Sequence, residues 1–215
     1  VLEDKIVYLH LKVMSDLGNS YFTEVLPQIK DYKYFIIDIR DNLGGSDIGA
    51  FQLLSSFYDE IRNFQSFELT SDIERMGSHL ASHPQREFVY TQPETCDLTD
   101  FRESELDPIQ ADRLLLLTNY NTMSAAESLA LLASDLDSFL LMGTPTAGSC
   151  GLRYDVSLED LGFTFAFTSK GSLDYEGQSL YGKGIEPDLL IEQTVDDLKQ
   201  GIDTVLEAAI SQILP

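Results

Sequence analysis

Tyr34-Phe35-Ile36-Ile37-Asp38-Ile39 runs directly into Arg40-Asp41-Asn42-Leu43-Gly44-Gly45-Ser46-Asp47, and the reading of this stretch decides the fold. A short, nearly continuous apolar run suits a strand covered on both faces, as in a parallel sheet; a strand with one wet face would alternate instead. The polar, glycine-bearing segment that follows is a turn. Phe51, Leu54, Tyr58 and Ile61 then fall on one helical stripe. Strand, turn and helix recur downstream. Leu114-Leu115-Leu116-Leu117 is a second buried strand, Asn119-Tyr120-Asn121-Thr122-Met123 a turn, and Ser124 to Ala133 a helix of small residues carrying Ala125, Leu129 and Leu132. Phe139-Leu140-Leu141-Met142 reads as a third strand. Strands alternating with helices predict an α/β core.

Working outward, Ile6 to Val13 reads as a first strand with Val7, Leu9, Leu11 and Val13 on one face. Ser20 to Lys30 places Phe22, Val25, Leu26 and Ile29 at helical spacing, against which Pro27 counts. Residues 66–110 form a less regular excursion, with 77–84 a loop and 87–91 a strand. After Met142 the chain is β-rich, and Phe163, Phe165 and Phe167 alternate with polar or small residues as a strand does, with core packing expected for the three rings. A closing helix starts from a Thr194 cap and carries Leu198, Ile202, Val205, Ala209 and Ile213 as its buried stripe. The expectation is an α/β fold: one domain over 1–215, a mixed sheet with flanking helices, a β-rich C-terminal section and a closing helix.

Composition narrows the function. Against 14 Lys and Arg stand 36 Asp and Glu, a formal net charge of −22. Such a surface repels phosphate backbones and anionic lipid, which argues against nucleic-acid binding. No apolar run approaches the ~20 residues that an integral membrane helix requires. Cys96 and Cys150 lack the spacing of a zinc site, and two free thiols or one disulfide are both open. The chain opens Val1-Leu2-Glu3-Asp4 and enters structure almost at once, so a piece of a longer precursor is expected.

Both turns lie where a buried strand ends and a helix begins, the place where open α/β sheets bind ligands. Gly44-Gly45 lets backbone N–H groups approach a ligand closely. A serine opening a helix, as Ser124 does, can cap the first turn. It can also serve as a nucleophile whose neighbouring amides hold an oxyanion.

Four landmarks in order then carry a resemblance. Ile37 to Gly45 resembles a strand with an Arg-x-Asn-x-Gly-Gly turn, and Leu116-Leu117-Thr118-Asn119 with Thr122 to Glu127 resembles a nucleophile segment. Met142 to Gly148 is similar to a Gly-x-x-Thr-x-Gly segment, and Gly182 to Asp188 to a Gly-x-Gly-x-x-Pro-Asp signature. Together they resemble the C-terminal processing peptidases, or tail-specific proteases, a family of serine peptidases. The resemblance implies a ClpP/crotonase-like core and a polypeptide substrate. It implies no cofactor and no metal, and an extracytoplasmic setting, in a bacterial cell envelope or secreted. It assigns Ser124 as the catalytic nucleophile, with oxyanion donors from Ala125 and from either Gly44 or Gly45. Arg40 and Asn42 would brace the turn, and Pro187 and Asp188 would be structural.

One landmark is missing. At the position of the family's general-base lysine this sequence has Ser149, whose hydroxyl cannot serve as a base near neutral pH. Three explanations stand open. The base is a histidine, as in branches resembling tricorn core or nisin-resistance peptidases, with His10, His79 and His83 as candidates. Alternatively, the base lies upstream of Val1. In the third, the chain is a pseudoprotease that binds peptides without cleaving them. A further rival is an apolar small-ligand binder like the retinoid-binding relatives of the fold, with Phe163, Phe165 and Phe167 lining its pocket.

Overall fold

The computed structural model describes residues 1–3, 5–63, 66–69, 88–90, 94–102 and 105–214. Its centre is a five-stranded sheet in the order β1-β2-β7-β8-β11, parallel throughout. The strands are β1 (Ile6–His10), β2 (Tyr34–Asp38), β7 (Arg113–Thr118), β8 (Phe139–Gly143) and β11 (Leu189–Leu190). Register brings Leu9, Ile37, Leu116 and Leu141 into one row, and Tyr8, Ile36, Leu115 and Leu140 into the row facing the other way. The first row packs under α3 (Asp47–Ser55) and α4 (Ala125–Ser134). The second packs under α6 (Thr204–Ile213) through Val205, Ala209 and Ile213. With both faces covered, Ile36, Ile37, Leu115 and Leu116 are fully buried. Burying each such side chain contributes about 1.5–3 kcal/mol, which is why the apolar runs do not alternate.

The antiparallel strand pairs among the described residues form separate sheets. β4 (Ser66–Leu69), β5 (Phe88–Tyr90), β9 (Gly151–Leu158) and β10 (Phe163–Ser172) make a four-stranded sheet in the order β5-β4-β10-β9, and β3 (Glu60–Arg62) pairs with β6 (Thr95–Asp97). The α/β expectation therefore holds, with the parallel and antiparallel parts in different sheets. The strand expected near residues 87–91 is β5, whereas the loop expected over 77–84 lies outside the described residues.

Four local expectations are corrected. β1 ends at His10: Leu11 N–H still reaches the Asp38 carbonyl at 2.9 Å, and then the chain leaves the sheet to bond with Gly44 and Ser46 through Met14. Val13 is consequently 58% exposed rather than in the core. The helix after β2 stops at Ser55, whose hydroxyl turns back onto the Gln52 carbonyl at 2.7 Å, so Tyr58 and Ile61 fall outside it. The closing helix is two helices, α5 (Val195–Gln200) and α6, because Gly201 adopts a left-handed cap (φ 74°) and Asp203 opens a new N-terminus. Leu198 and Ile202 are exposed as a result, while Val205, Ala209 and Ile213 are buried. Finally, Phe163 and Phe165 are not core residues; they are 52% and 42% exposed on β10. The stretch 20–30 is helical but irregular. A short α1 (Gly18–Ser20) passes into a wide π turn over Tyr21–Val25 and then α2 (Leu26–Ile29), whose first turn accommodates Pro27.

Candidate active site

Three loops leave the carboxyl ends of β2, β7 and β8 and are stitched together by buried hydrogen bonds. Thr122 Oγ1 donates to the Ile39 carbonyl (3.0 Å), and Met123 N–H to the Asn42 carbonyl (3.0 Å). Ala147 N–H reaches the Thr122 carbonyl (2.9 Å), and Thr118 Oγ1 the Thr144 carbonyl (2.8 Å). The Gly-x-Gly-x-x-Pro-Asp segment closes the group. Ile185 N–H donates to Thr146 Oγ1 (2.8 Å), and Asp188 Oδ2 accepts from Leu141 N–H (2.8 Å).

Ser124 sits at the head of α4 with φ 56° and ψ −128°. A non-glycine residue held there costs on the order of 1–3 kcal/mol and persists only where its surroundings enforce it. The enforcing neighbour is Gly44. A Cβ added there would stand 2.5 Å from Ser124 Cβ, 2.8 Å from the Met123 carbonyl oxygen and 3.0 Å from Ala125 N. Only glycine lets the two turns approach so closely, and its φ of 94° excludes other residues independently.

The hydrogen bonds separate the two glycines. Gly44 N–H is buried and donates to Asn42 Oδ1 at 2.9 Å, while Asn42 Nδ2 is anchored on the Leu11 carbonyl at 2.7 Å. Gly45 is exposed, and among the described residues its N–H has no acceptor. Ala125 N–H likewise has none, because it precedes the first closed turn of α4.

Glu127 is fully buried and takes four donors. Its Oε1 accepts from Thr146 Oγ1 (2.6 Å) and Gly148 N–H (2.7 Å); its Oε2 accepts from Ser149 N–H (2.8 Å) and Ser124 N–H (3.2 Å). A carboxylate offers about four lone-pair sites, so this one is filled. It serves as an anchor that fastens the head of α4 to the loop after β8. Glu127 N–H meanwhile closes on the Ser124 carbonyl at 2.7 Å, alongside the capping-box pairing of the two residues.

The model of peptidase family S41 matches residues 5–191 of this sequence. The chain belongs to peptidase family S41. Its structure resembles that of a putative peptidase from Parabacteroides merdae, with a TM-score of 0.78 and 25% identity over all of this chain and 63% of that one. It shares the fold of a putative S41 protease from Bacteroides fragilis, with a TM-score of 0.61 and 20% identity over 98% of this chain and 55% of that one. The fold also matches the photosystem II D1 C-terminal processing protease, with a TM-score of 0.59 and 21% identity over 95% and 45%. The chain thus spans less than two thirds of each of these proteins.

In this S41 chain the expected site residues do not all meet. Ser124, Ala125, Gly44 and Gly45 come together as described. Ser149 joins them through its backbone, sharing Glu127 Oε2 with Ser124 N–H, and the residue is exposed. His10 lies elsewhere. Register puts it in the row with Asp38 and Leu117, on the sheet face covered by α6, whereas Ser124 heads a helix on the opposite face. Its surroundings are a cavity of about 620 Å³ lined by Tyr8, Asp38, Arg40, Thr144 and Asp203 among others, and not by Ser124. His79 and His83 lie outside the described residues. Among the described residues no lysine or histidine is hydrogen-bonded to Ser124, and no group of three or more His, Cys, Asp or Glu side chains is arranged to hold a metal. Both cysteines are free thiols; burial pushes the Cys150 thiol up, between the hydroxyls of Ser172 (3.1 Å) and Ser128 (3.7 Å).

Glu127 and Thr146 lie inside two of the sequence landmarks, but the sequence assigned neither a role. The spacing Ser124-x-x-Glu127 is that of a capping box and was the available signal. Thr146 and Gly148 are the Thr and the last Gly of the Gly-x-x-Thr-x-Gly segment, but nothing local marks them as donors to Glu127.

Proposed function

We propose that this chain is the core of a serine peptidase in which Ser124 Oγ attacks a peptide carbonyl. The carbonyl carbon gains a bond to Ser124 Oγ and its oxygen becomes the oxyanion. The amine then leaves, and water hydrolyses the resulting ester. Ala125 N–H and Gly45 N–H hold the oxyanion, each such donor being worth about 3 kcal/mol in the transition state. Gly44 is the spacer that admits the serine, and Glu127 holds the serine's amide in place. The observation that carries the reading is the enforced φ of 56° at Ser124 beside two amides with no acceptor among the described residues. An N-cap ordinarily sits in the extended region, as Ser46, Thr194 and Asp203 do in this chain, so the positive φ is the feature that a merely structural cap does not need.

The proton acceptor for Ser124 Oγ belongs, in this proposal, to residues outside the described set: His79, His83 or a part of the peptidase that this chain does not span. Glu127 is unsuited because its acceptor sites are filled. The test is labelling by a serine-directed fluorophosphonate, on this chain and on the full-length protein, with Ser124→Ala as control. Labelling of wild type alone supports the reading. A form that binds peptides yet never labels supports the silent, peptide-binding alternative, which Ser149 at the lysine position favours.

A further inference from the structure

Among the described residues only Glu3, Asp41 and Ser124 are non-glycine residues with positive φ. Two of the three sit in the two turns of the candidate site, and they are connected. Asp41, at φ 59°, lies in the turn after β2 and reaches across to the turn after β7. Its Oδ1 accepts from Asn119 Nδ2 at 2.9 Å and from Asn121 Nδ2 at 2.8 Å, and its N–H donates to Asn119 Oδ1 at 3.0 Å. Asn119 Oδ1 also takes Asn121 N–H at 3.1 Å, and Asn119 N–H goes to Thr122 Oγ1 at 3.0 Å. The next residue along each turn makes the next bond, Met123 N–H to the Asn42 carbonyl at 3.0 Å. One residue further on stand Ser124 on one side and, past Leu43, the glycine pair on the other.

We propose that Asp41 is a positioning residue for the reaction: a latch that sets the distance between the Gly45 amide on one turn and the Ser124-Ala125 pair on the other. The inference rests on the reading of Ser124 as nucleophile. Asp41 is exposed and touches none of the reacting groups, so its effect is transmitted through the backbone of residues 42–45 and 122–124. The two asparagine amides, Asn121 ahead of Asn119, hold its carboxyl below the usual carboxylate range, so the latch is charged under the conditions in which peptidases are assayed. An oxyanion contact is made in the transition state and not before it. A displaced amide therefore lowers kcat and leaves KM nearly unchanged.

Three variants of the full-length protein separate positioning from stability. Asp41→Gly accepts φ 59° without strain but has no side chain to bond with, so it removes the latch and spares the turn. Asp41→Asn keeps an Oδ1 acceptor and tolerates the left-handed region. Asp41→Ala loses the bonds and adds strain. The expected result is fluorophosphonate labelling and kcat about tenfold lower or more in Asp41→Gly, with KM and melting temperature close to wild type. Asp41→Asn is expected within about threefold of wild type. Asp41→Ala is expected to lose both rate and melting temperature. If Asp41→Gly labels at the wild-type rate, or if rates in the series merely follow melting temperature, the latch inference fails and the peptidase reading survives. If wild type itself does not label, both fall, since there is then no reaction to position.

Discussion

Two polar clusters occupy the carboxyl ends of the parallel strands, one on each face of the sheet. Under α6, one arginine joins two aspartates. Asp38 accepts from Tyr8 (2.7 Å) and from the Arg40 backbone and guanidinium, and the same guanidinium makes two bonds to Asp203 at the head of α6 (2.8 and 2.7 Å). Burial and the bond to Asp38 push the Tyr8 phenol up to about 12. Burial works against the Arg40 charge, but the two aspartates outweigh it and raise its pKa. On the other face, around Ser124, the bonding is equally dense at Glu127, yet the amides of exposed Gly45 and buried Ala125 have no acceptor among the described residues, and Ser124 is held at a positive φ. The first cluster uses its polar groups to fasten a helix. The second fastens everything except the groups that would meet a substrate. Enforced strain beside unfilled backbone amides, rather than charge, sets the candidate site apart from the brace, on whose side the buried Thr144 hydroxyl is itself unpartnered among the described residues.

The largest expected stability effect tests the anchor of the second cluster. Glu127→Ala leaves four buried or half-buried donors unmatched and should lower unfolding free energy by about 3–4 kcal/mol, read from urea denaturation. A loss under about 1 kcal/mol would mean that water or rearrangement replaces the carboxylate with ease. Gly44→Ala comes next, at about 2 kcal/mol, since the added methyl meets Ser124 Cβ and the backbone is strained at φ 94°. It should also suppress serine labelling, and labelling at the wild-type rate would contradict the spacer role.

The brace under α6 predicts a smaller, pH-dependent effect. Burial raises the Asp203 carboxyl, but the Arg40 bond and the Leu206 and Val205 amides outweigh it, so its folded value is lowered. A lowered carboxyl adds stability above its unfolded value of about 3.9, and that contribution is lost as pH falls through the folded value. Asp203→Asn keeps an acceptor for capping Leu206. It should cost about 1 kcal/mol at pH 7, with the deficit shrinking below about pH 4. A deficit independent of pH would show that the ion pair is not its source. Smallest of all is Phe163→Ser on the exposed face of β10, expected within about 0.5 kcal/mol of wild type in the same denaturation assay.

The buried strands were legible because both of their faces are covered, so Tyr34 to Ile39 and Leu114 to Leu117 carry the signal in composition alone. Where burial depends on a distant partner, the signal failed. Alternation at Phe163 and Phe165 identifies a strand but not which face is covered, and the spacing from Leu198 to Ile213 did not reveal that Gly201 would break the helix. The site divides in the same way. Ser124 and the glycine pair follow from local motifs. The choice of Gly45 over Gly44 turns on a single side-chain bond from Asn42. The anchor at Glu127 depends on donors 19 to 22 residues downstream, and the Asp41 latch on partners 78 and 80 residues away.

The most direct measurement is mass-spectrometric mapping of the fluorophosphonate adduct on the full-length protein. The account predicts a single adduct on Ser124, absent from Ser124→Ala. An unmodified Ser124 under conditions that label an authentic serine peptidase, or an adduct mapped to another residue, would contradict it.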